Sequence, residues 1–187
     1  MSVGRDHLLS VYAQSSDPWN FATSAYEQQK FAATCDALLR PRYRAAFELG
    51  CGNGQLARHL VGRCDRYTGM DAVAVALEAA RRTVPQARFV QGFYPCPLPG
   101  DGFDLLILSE ILYFLDARDL RRLAGDIAAQ FPLAEVICVT WLGPTGHELQ
   151  GEQALAIFAA ALETHDFTLV TRHDRYRIDR ALPKKPV

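Results

Sequence analysis

Glu48-Leu49-Gly50-Cys51-Gly52-Asn53-Gly54 is the stretch on which the reading of this chain turns. Three alternate glycines follow the short apolar run Ala45–Leu49 and precede Gln55–Val61, which has the pattern of a helix. Glycine lets a backbone turn tightly and approach a ligand where a Cβ would collide. A strand, a glycine turn and a helix in that order are the opening of an open α/β sheet with a ligand at the turn.

Working outward, the same alternation continues. A second strand ends in RYTGMD at Asp71, and AVAVALEAARRTV is helical until Pro85. Ala87–Gln91 reads as a third strand. Phe103–Ser109 is a nearly unbroken apolar run, as expected of a central parallel strand covered on both faces. Asp116 caps a helix beginning ARDLRRL, EVICVTWL is a fifth strand, and GEQALAIFAAALET is a further helix. FTLVTRHD and YRIDRAL alternate as two late strands, in hairpin arrangement. Before all this, Ser24 and Glu27 suggest a capping box opening a helix with Tyr26, Phe31, Ala32, Leu38 and Leu39 on its apolar face, closed by Pro41. The expectation is one domain over 1–187. Residues 1–43 form an N-terminal helical segment, and 44–187 a doubly wound, mostly parallel α/β sheet of seven strands. In such sheets ligands lie at the carboxyl ends of the strands near the switch point. The turns after Leu49, Asp71, Gln91 and Ser109 should therefore line one cleft.

Composition narrows the function. With 187 residues and 49% hydrophobic residues there is room for one core and none for a substrate domain of ordinary size. A net charge of −1 gives no steering toward nucleic acid or anionic membranes. No run approaches a membrane span, MSVGRDHLLSVYAQ is a poor signal peptide, and the default compartment is the cytoplasm. The five cysteines are scattered with no CxxC pair, and no cluster has metal-ligand spacing, so no metal is expected.

A dinucleotide fold is a rival, since Gly52-x-Gly54-x-x-Ala57 matches G-x-G-x-x-A and Asp71 could hold a ribose in either case. Glu48 argues against it. A pyrophosphate needs positive potential at the loop, and a carboxylate beside it opposes that. An acidic loop suits a ligand that is cationic and lacks phosphate.

The run E-L-G-C-G-N-G followed by Asp71 resembles the class I methyltransferases that use S-adenosylmethionine (SAM), with a Rossmann-like sheet. The likeness covers about Ala45 to Leu142. It implies that Glu48 and the loop Gly50, Cys51, Gly52, Asn53 and Gly54 face the methionine end of the cofactor. It implies that Asp71 accepts the ribose hydroxyls, with Ala72 beside it, and that Gly92 and Phe93 flank adenine. Many members carry an acidic residue near that point, and QGFYP lacks one. A narrower likeness rests on DPWNFATSAYEQQKFAATCDAL, SEILYFL, TGHELQGEQAL and YRID. These are similar to the nodulation N-methyltransferases, which methylate the free amine of a de-N-acetylated chito-oligosaccharide. It implies a small-molecule acceptor of that kind.

The remaining candidates are read from position. Asp17-Pro18-Trp19 makes a turn that sets an indole beside the first helix. Trp19 and Tyr26 either close over the cofactor, attracting its sulfonium, or pack the helix. Residues 1–43 would then act as a lid. Ser109 and Glu110 end the fourth strand at the cleft. Tyr113 and Phe114 are candidates for an acceptor wall. Glu110, Tyr113 and His147 are the candidates to orient the amine and remove its proton, although a loop histidine is also an ordinary surface residue. An O- or S-methyltransferase and a silent SAM-binding partner subunit remain alternatives, because fold does not fix substrate.

Overall fold

A computed structural model describes residues 5–12, 15, 17–100 and 102–185. The first four residues of the expected N-terminal segment lie outside that range. Seven strands form one sheet in the order β3-β2-β1-β4-β5-β7-β6. They are β1 (Tyr43–Leu49), β2 (Cys64–Asp71), β3 (Arg88–Gln91), β4 (Leu105–Ser109), β5 (Glu135–Trp141), β6 (His165–Arg172) and β7 (Tyr176–Pro183). Strands β1 to β5 run parallel to one another. The hairpin β6–β7 folds back so that β7 inserts antiparallel beside β5.

The helices are α1 (Arg5–Tyr12), α2 (Ala25–Asp36), α3 (Gln55–Leu60), α4 (Ala74–Thr83), α5 (Ala117–Gln130) and α6 (Gly151–Ala161). The apolar run of β4 explains why the sheet is covered twice. Leu106 and Leu108 join Leu120, Leu123, Ile127 and Phe158 on the α5–α6 side. Leu105 and Ile107 join Leu56, Leu60 and Leu77 on the α3–α4 side. Strand order reverses at β1, which pairs with β2 on one side and β4 on the other. The connections leaving Leu49 and Ser109 run to opposite faces there, and a crevice opens between them.

The N-terminal segment differs from expectation in two details. Ser24 Oγ accepts from Glu27 N at 3.4 Å, but Ser24 N donates to Asn20 O, and the Glu27 carboxylate pairs with Lys30 instead of completing the capping box. Helix α2 ends at Asp36, short of Pro41. Leu39 is 54% exposed, off the apolar face, because its N–H turns to donate to Glu135 Oε1 as the chain enters β1.

Candidate functional site

The glycine loop joins β1 to α3 with Gly50, Gly52 and Gly54 all at positive φ. Each does something different. A Cβ at Gly50 would meet Ile111 Cδ1 at 2.9 Å, from the loop after β4. One at Gly54 would lie 3.0 Å from Ala80 Cα and force α3 away from α4. One at Gly52 would stand 3.3 Å from the Tyr12 hydroxyl and 4.0 Å from Phe21 Cε2, because that position faces the cleft. Cys51 turns its side chain to the sheet, where a Cβ on Gly69 would be 2.8 Å from its Sγ. Asn53 is buried beside it.

Asp71 closes the loop from the end of β2. Its Oδ2 accepts from Gly52 N at 2.8 Å and its Oδ1 from Val73 N at 3.0 Å. Burial pushes its carboxyl up, and hydrogen bonds from Val73, Gly52 and Ala72 pull it partly back. Three of its roughly four lone-pair sites are thus engaged, which leaves one for a further donor. Around Asp71 lies a cleft open to solvent, lined mostly by apolar side chains with a few polar groups among them, the usual character of a small-molecule site. Ala72, Gly92 and Phe93 line it, as does Ser109 at the end of β4. A Cβ on Gly92 would stand 2.8 Å from Met70 Sδ, so the glycine keeps the floor flat. Trp19 also lines the cleft, T-shaped on Tyr12 and stacked on Phe21 at 5.5 Å.

A smaller compartment adjoins this cleft through Gly50, Gly52, Ser109 and Glu110. Glu48 sits in it, buried, with Oε2 accepting from the Tyr67 hydroxyl at 2.6 Å. Burial pushes its carboxyl up to about 8, against the pull of the Tyr67 hydrogen bond, and the Asp71 charge adds to the rise. Lys30 reaches in from α2. It is 2% exposed and donates to Glu110 Oε1 at 2.5 Å, with Glu27 Oε2 at 2.8 Å. Glu110 holds φ +52, an uncommon conformation for a residue with a side chain. Gln55 Oε1 is buried here with no hydrogen-bond partner among the described residues.

Three expectations need correction. Tyr113 lines the cleft, but burial and the charges of Glu110 and Glu27 push its phenol far above its ordinary value, which disfavours the expected role of base. His147 does not line the cleft. Its ring packs 4.7 Å from the Phe114 ring and 6.0 Å from that of Tyr113. Tyr26 also misses the cleft. It packs against His173 and Tyr176 from the β6–β7 hairpin, with Lys30 Nζ 5.4 Å from its ring centre. Glu110 is in place, but it is tied to an ammonium and so is not a free base. Sequence reasoning missed Tyr12, Phe21 and Lys30. Tyr12 sits in a stretch without a motif, Phe21 follows the DPW turn with no pattern of its own to aim it, and Glu27–Lys30 at i,i+3 reads as an ordinary surface pair. Among the described residues no group of His, Cys, Asp and Glu side chains could hold a metal, and no helix is long and apolar enough to cross a membrane.

Comparisons with known proteins agree with this architecture. The profile of the nodulation protein S (NodS) family matches residues 2–167. Nodulation protein S of Bradyrhizobium diazoefficiens is 29% identical over 180 residues, covering 87% of this chain and 83% of the relative. A crystal structure described as a putative methyltransferase from Pseudomonas syringae superposes with a TM-score of 0.73 at 35% identity, covering 85% of this chain and 99% of that one. The N-methyltransferase NodS from Bradyrhizobium japonicum WM9, in complex with S-adenosylhomocysteine, gives a TM-score of 0.81 at 18% identity, covering 97% and 99%.

Proposed function

Since the chain belongs to the nodulation protein S family and is a SAM-dependent methyltransferase, we propose that it methylates the free amine of a small molecule, with an amino sugar or de-N-acetylated chito-oligosaccharide as the favoured acceptor. The observation that carries this reading is the charge of the cleft. Glu27, Asp71 and Glu110 line its two compartments, Glu48 adds a buried carboxyl that an arriving cation would ionise, and Lys30 is the one cationic side chain lining either among the described residues. Opposite charges about 4 Å apart attract by roughly 4 kcal/mol at an effective dielectric of 20. Such a cleft favours a sulfonium, an ammonium and a basic acceptor, and disfavours a phosphate or an acidic acceptor.

The residues fit SAM. Asp71 has a lone-pair site left for a ribose hydroxyl, and Gly52 leaves open the space that a Cβ would fill. Ala72, Gly92 and Phe93 offer a flat apolar slot for adenine. Glu48 and the unpartnered Gln55 Oε1 are acceptors for an α-ammonium, and Lys30 is the donor for an α-carboxylate. When bound, the cofactor supplies an electrophilic methyl group on a sulfonium. The protein has to align a neutral amine with it and exclude water. Tyr113 and Phe114 form the acceptor wall, with His147 packed behind it, and Glu110 accepts a hydrogen bond from the amine. The amine forms its new bond through its own lone pair. The ammonium product then loses a proton to solvent at the open mouth, so no side-chain base is required. Tyr12, Trp19 and Phe21 cover the cleft as a lid, and the whole chain works as one catalytic domain.

A labelled-methyl assay tests this against amines, chitosan oligomers, phenols, thiols and carboxylic acids. Label is expected in the amines, chitosan oligomers foremost. Label confined to phenols, thiols or acids would overturn the amine assignment, and no label anywhere together with no binding of S-adenosylhomocysteine would overturn the enzyme assignment.

A further inference from the structure

Lys30 is nearly sealed from solvent. A buried ammonium needs counter-charges, and it has two of different origin. Glu27 lies three residues away on the same helix, so it moves with Lys30. Glu110 comes from across the crevice, at the end of β4. Its side chain is 21% exposed and borders both compartments. Its backbone is in the left-handed region, a conformation that clusters at switches and ligand clamps. The ring of Tyr26 flanks the ammonium on the remaining side. On the reading that the smaller compartment takes the amino-acid end of SAM, the α-carboxylate has, among the described residues, one cation to go to, and that cation is already engaged.

We propose that the Lys30–Glu110 ion pair is a place-holder: the cofactor's α-carboxylate takes Lys30, Glu110 is released into the main cleft, and the released carboxylate holds the acceptor amine. Glu27 is carried on the same helix as Lys30, whereas Glu110 comes from another element and borders the main cleft. Carboxylates within about 4–6 Å repel one another, so a third carboxylate arriving at Lys30 displaces the one from the other element. The acceptor site is then complete only when cofactor is bound, and binding is ordered, cofactor first. The order comes from differential contacts of the same carboxylate in two states, which is the requirement for any ligand-driven switch.

S-Adenosylhomocysteine and 5′-methylthioadenosine separate the two halves of the cofactor, since the second lacks the amino-acid end. Crystal structures of both complexes are expected to differ at one contact. Lys30 Nζ should stay on Glu110 with methylthioadenosine and move beyond about 4 Å from it with S-adenosylhomocysteine. De-N-acetylated chitotetraose, titrated calorimetrically, should bind at least about tenfold more tightly in the presence of S-adenosylhomocysteine than of methylthioadenosine. Lys30→Met should weaken S-adenosylhomocysteine roughly ten- to a hundredfold, leave methylthioadenosine unchanged, and abolish the difference in tetramer affinity. Retained methylthioadenosine binding reports that the variant is folded; if it is lost, the two wild-type measurements decide. An intact Lys30–Glu110 pair in the S-adenosylhomocysteine complex, or equal tetramer affinity in both complexes, would overturn the exchange while leaving the enzyme assignment standing. Failure of S-adenosylhomocysteine to bind would overturn both. A tetramer that binds in neither state overturns the acceptor assignment, and the pair of crystal structures then decides the exchange.

Discussion

Glu48 is sealed beneath the glycine loop, and burial lifts its carboxyl from an ordinary 4.5 to about 8. A folded-state pKa above the unfolded one means that the native protein binds the proton more tightly. That stability is fully present below about 4.5 and is lost as pH rises to about 8. Asp71, also raised by burial, acts in the same direction. Thermal midpoints of the cofactor-free protein should therefore fall between about pH 5 and 8 and then flatten, and Glu48→Gln should reduce the slope. Affinity for S-adenosylhomocysteine, whose ammonium favours the ionised carboxyl, should rise over the same range. An identical pH slope in wild type and Glu48→Gln would remove Glu48 from this account. Asp71 has a second duty, because it also ties Gly52 N and Val73 N. Asp71→Ala is expected to leave a folded but less stable chain and to weaken S-adenosylhomocysteine binding by about 1.5–3 kcal/mol. Gly52→Val should be worse, since φ +51 strains any side chain and this one would enter ligand space. Calorimetry on both variants checks this, and wild-type affinity in Asp71→Ala would exclude Asp71 from the site.

At the scale of elements, the segment before β1 divides into two parts with different work. Asp17 caps the turn that follows it, accepting from Phe21 N at 2.8 Å and Ala22 N at 3.0 Å, and this aims Trp19 and Phe21 at the cleft. Helix α2 is anchored instead, by Phe31 in the α3–α4 core and by Lys30 on Glu110. Deleting residues 1–22 should therefore leave a folded domain, because Phe31, Leu38 and the sheet remain. It should strongly reduce methyl transfer, because Tyr12, Trp19 and Phe21 go. In the intact protein, hydrogen exchange from Trp19 to Tyr26 should slow when S-adenosylhomocysteine is added. Full activity in the truncated protein would show that the aromatic cover is dispensable. The DPW turn was legible because Asp and Pro have local preferences. Which aromatic points inward was not, since Trp19 and Tyr26 look alike as apolar positions but belong to the turn and to the helix.

For the whole molecule, a fold with a glycine loop and an acidic strand end serves either dinucleotides or SAM, and the balance of charge decides. S-Adenosylhomocysteine is expected to bind tightly and NAD not measurably, and heat from NAD alone in a calorimeter would reverse the assignment. The sequence by itself determined the order of strands and helices from α2 onward, the glycine loop, Glu48, and Asp71 at the end of β2. These follow from local causes: apolar runs, helical periodicity, caps, and the glycines that positive φ requires. It also determined the double-sided core, because the unbroken apolar run of β4 has to be covered on both faces. Only the tertiary structure decided that Lys30 is buried against Glu110, that His147 packs on Phe114 and Tyr113, and that Tyr26 packs on the β6–β7 hairpin. A charge pair at helical spacing or a histidine in a loop reads the same from the sequence whether it faces water or a cleft. Its surroundings come from segments about 30 to 150 residues away, brought near by a sheet whose order is not the order of the chain.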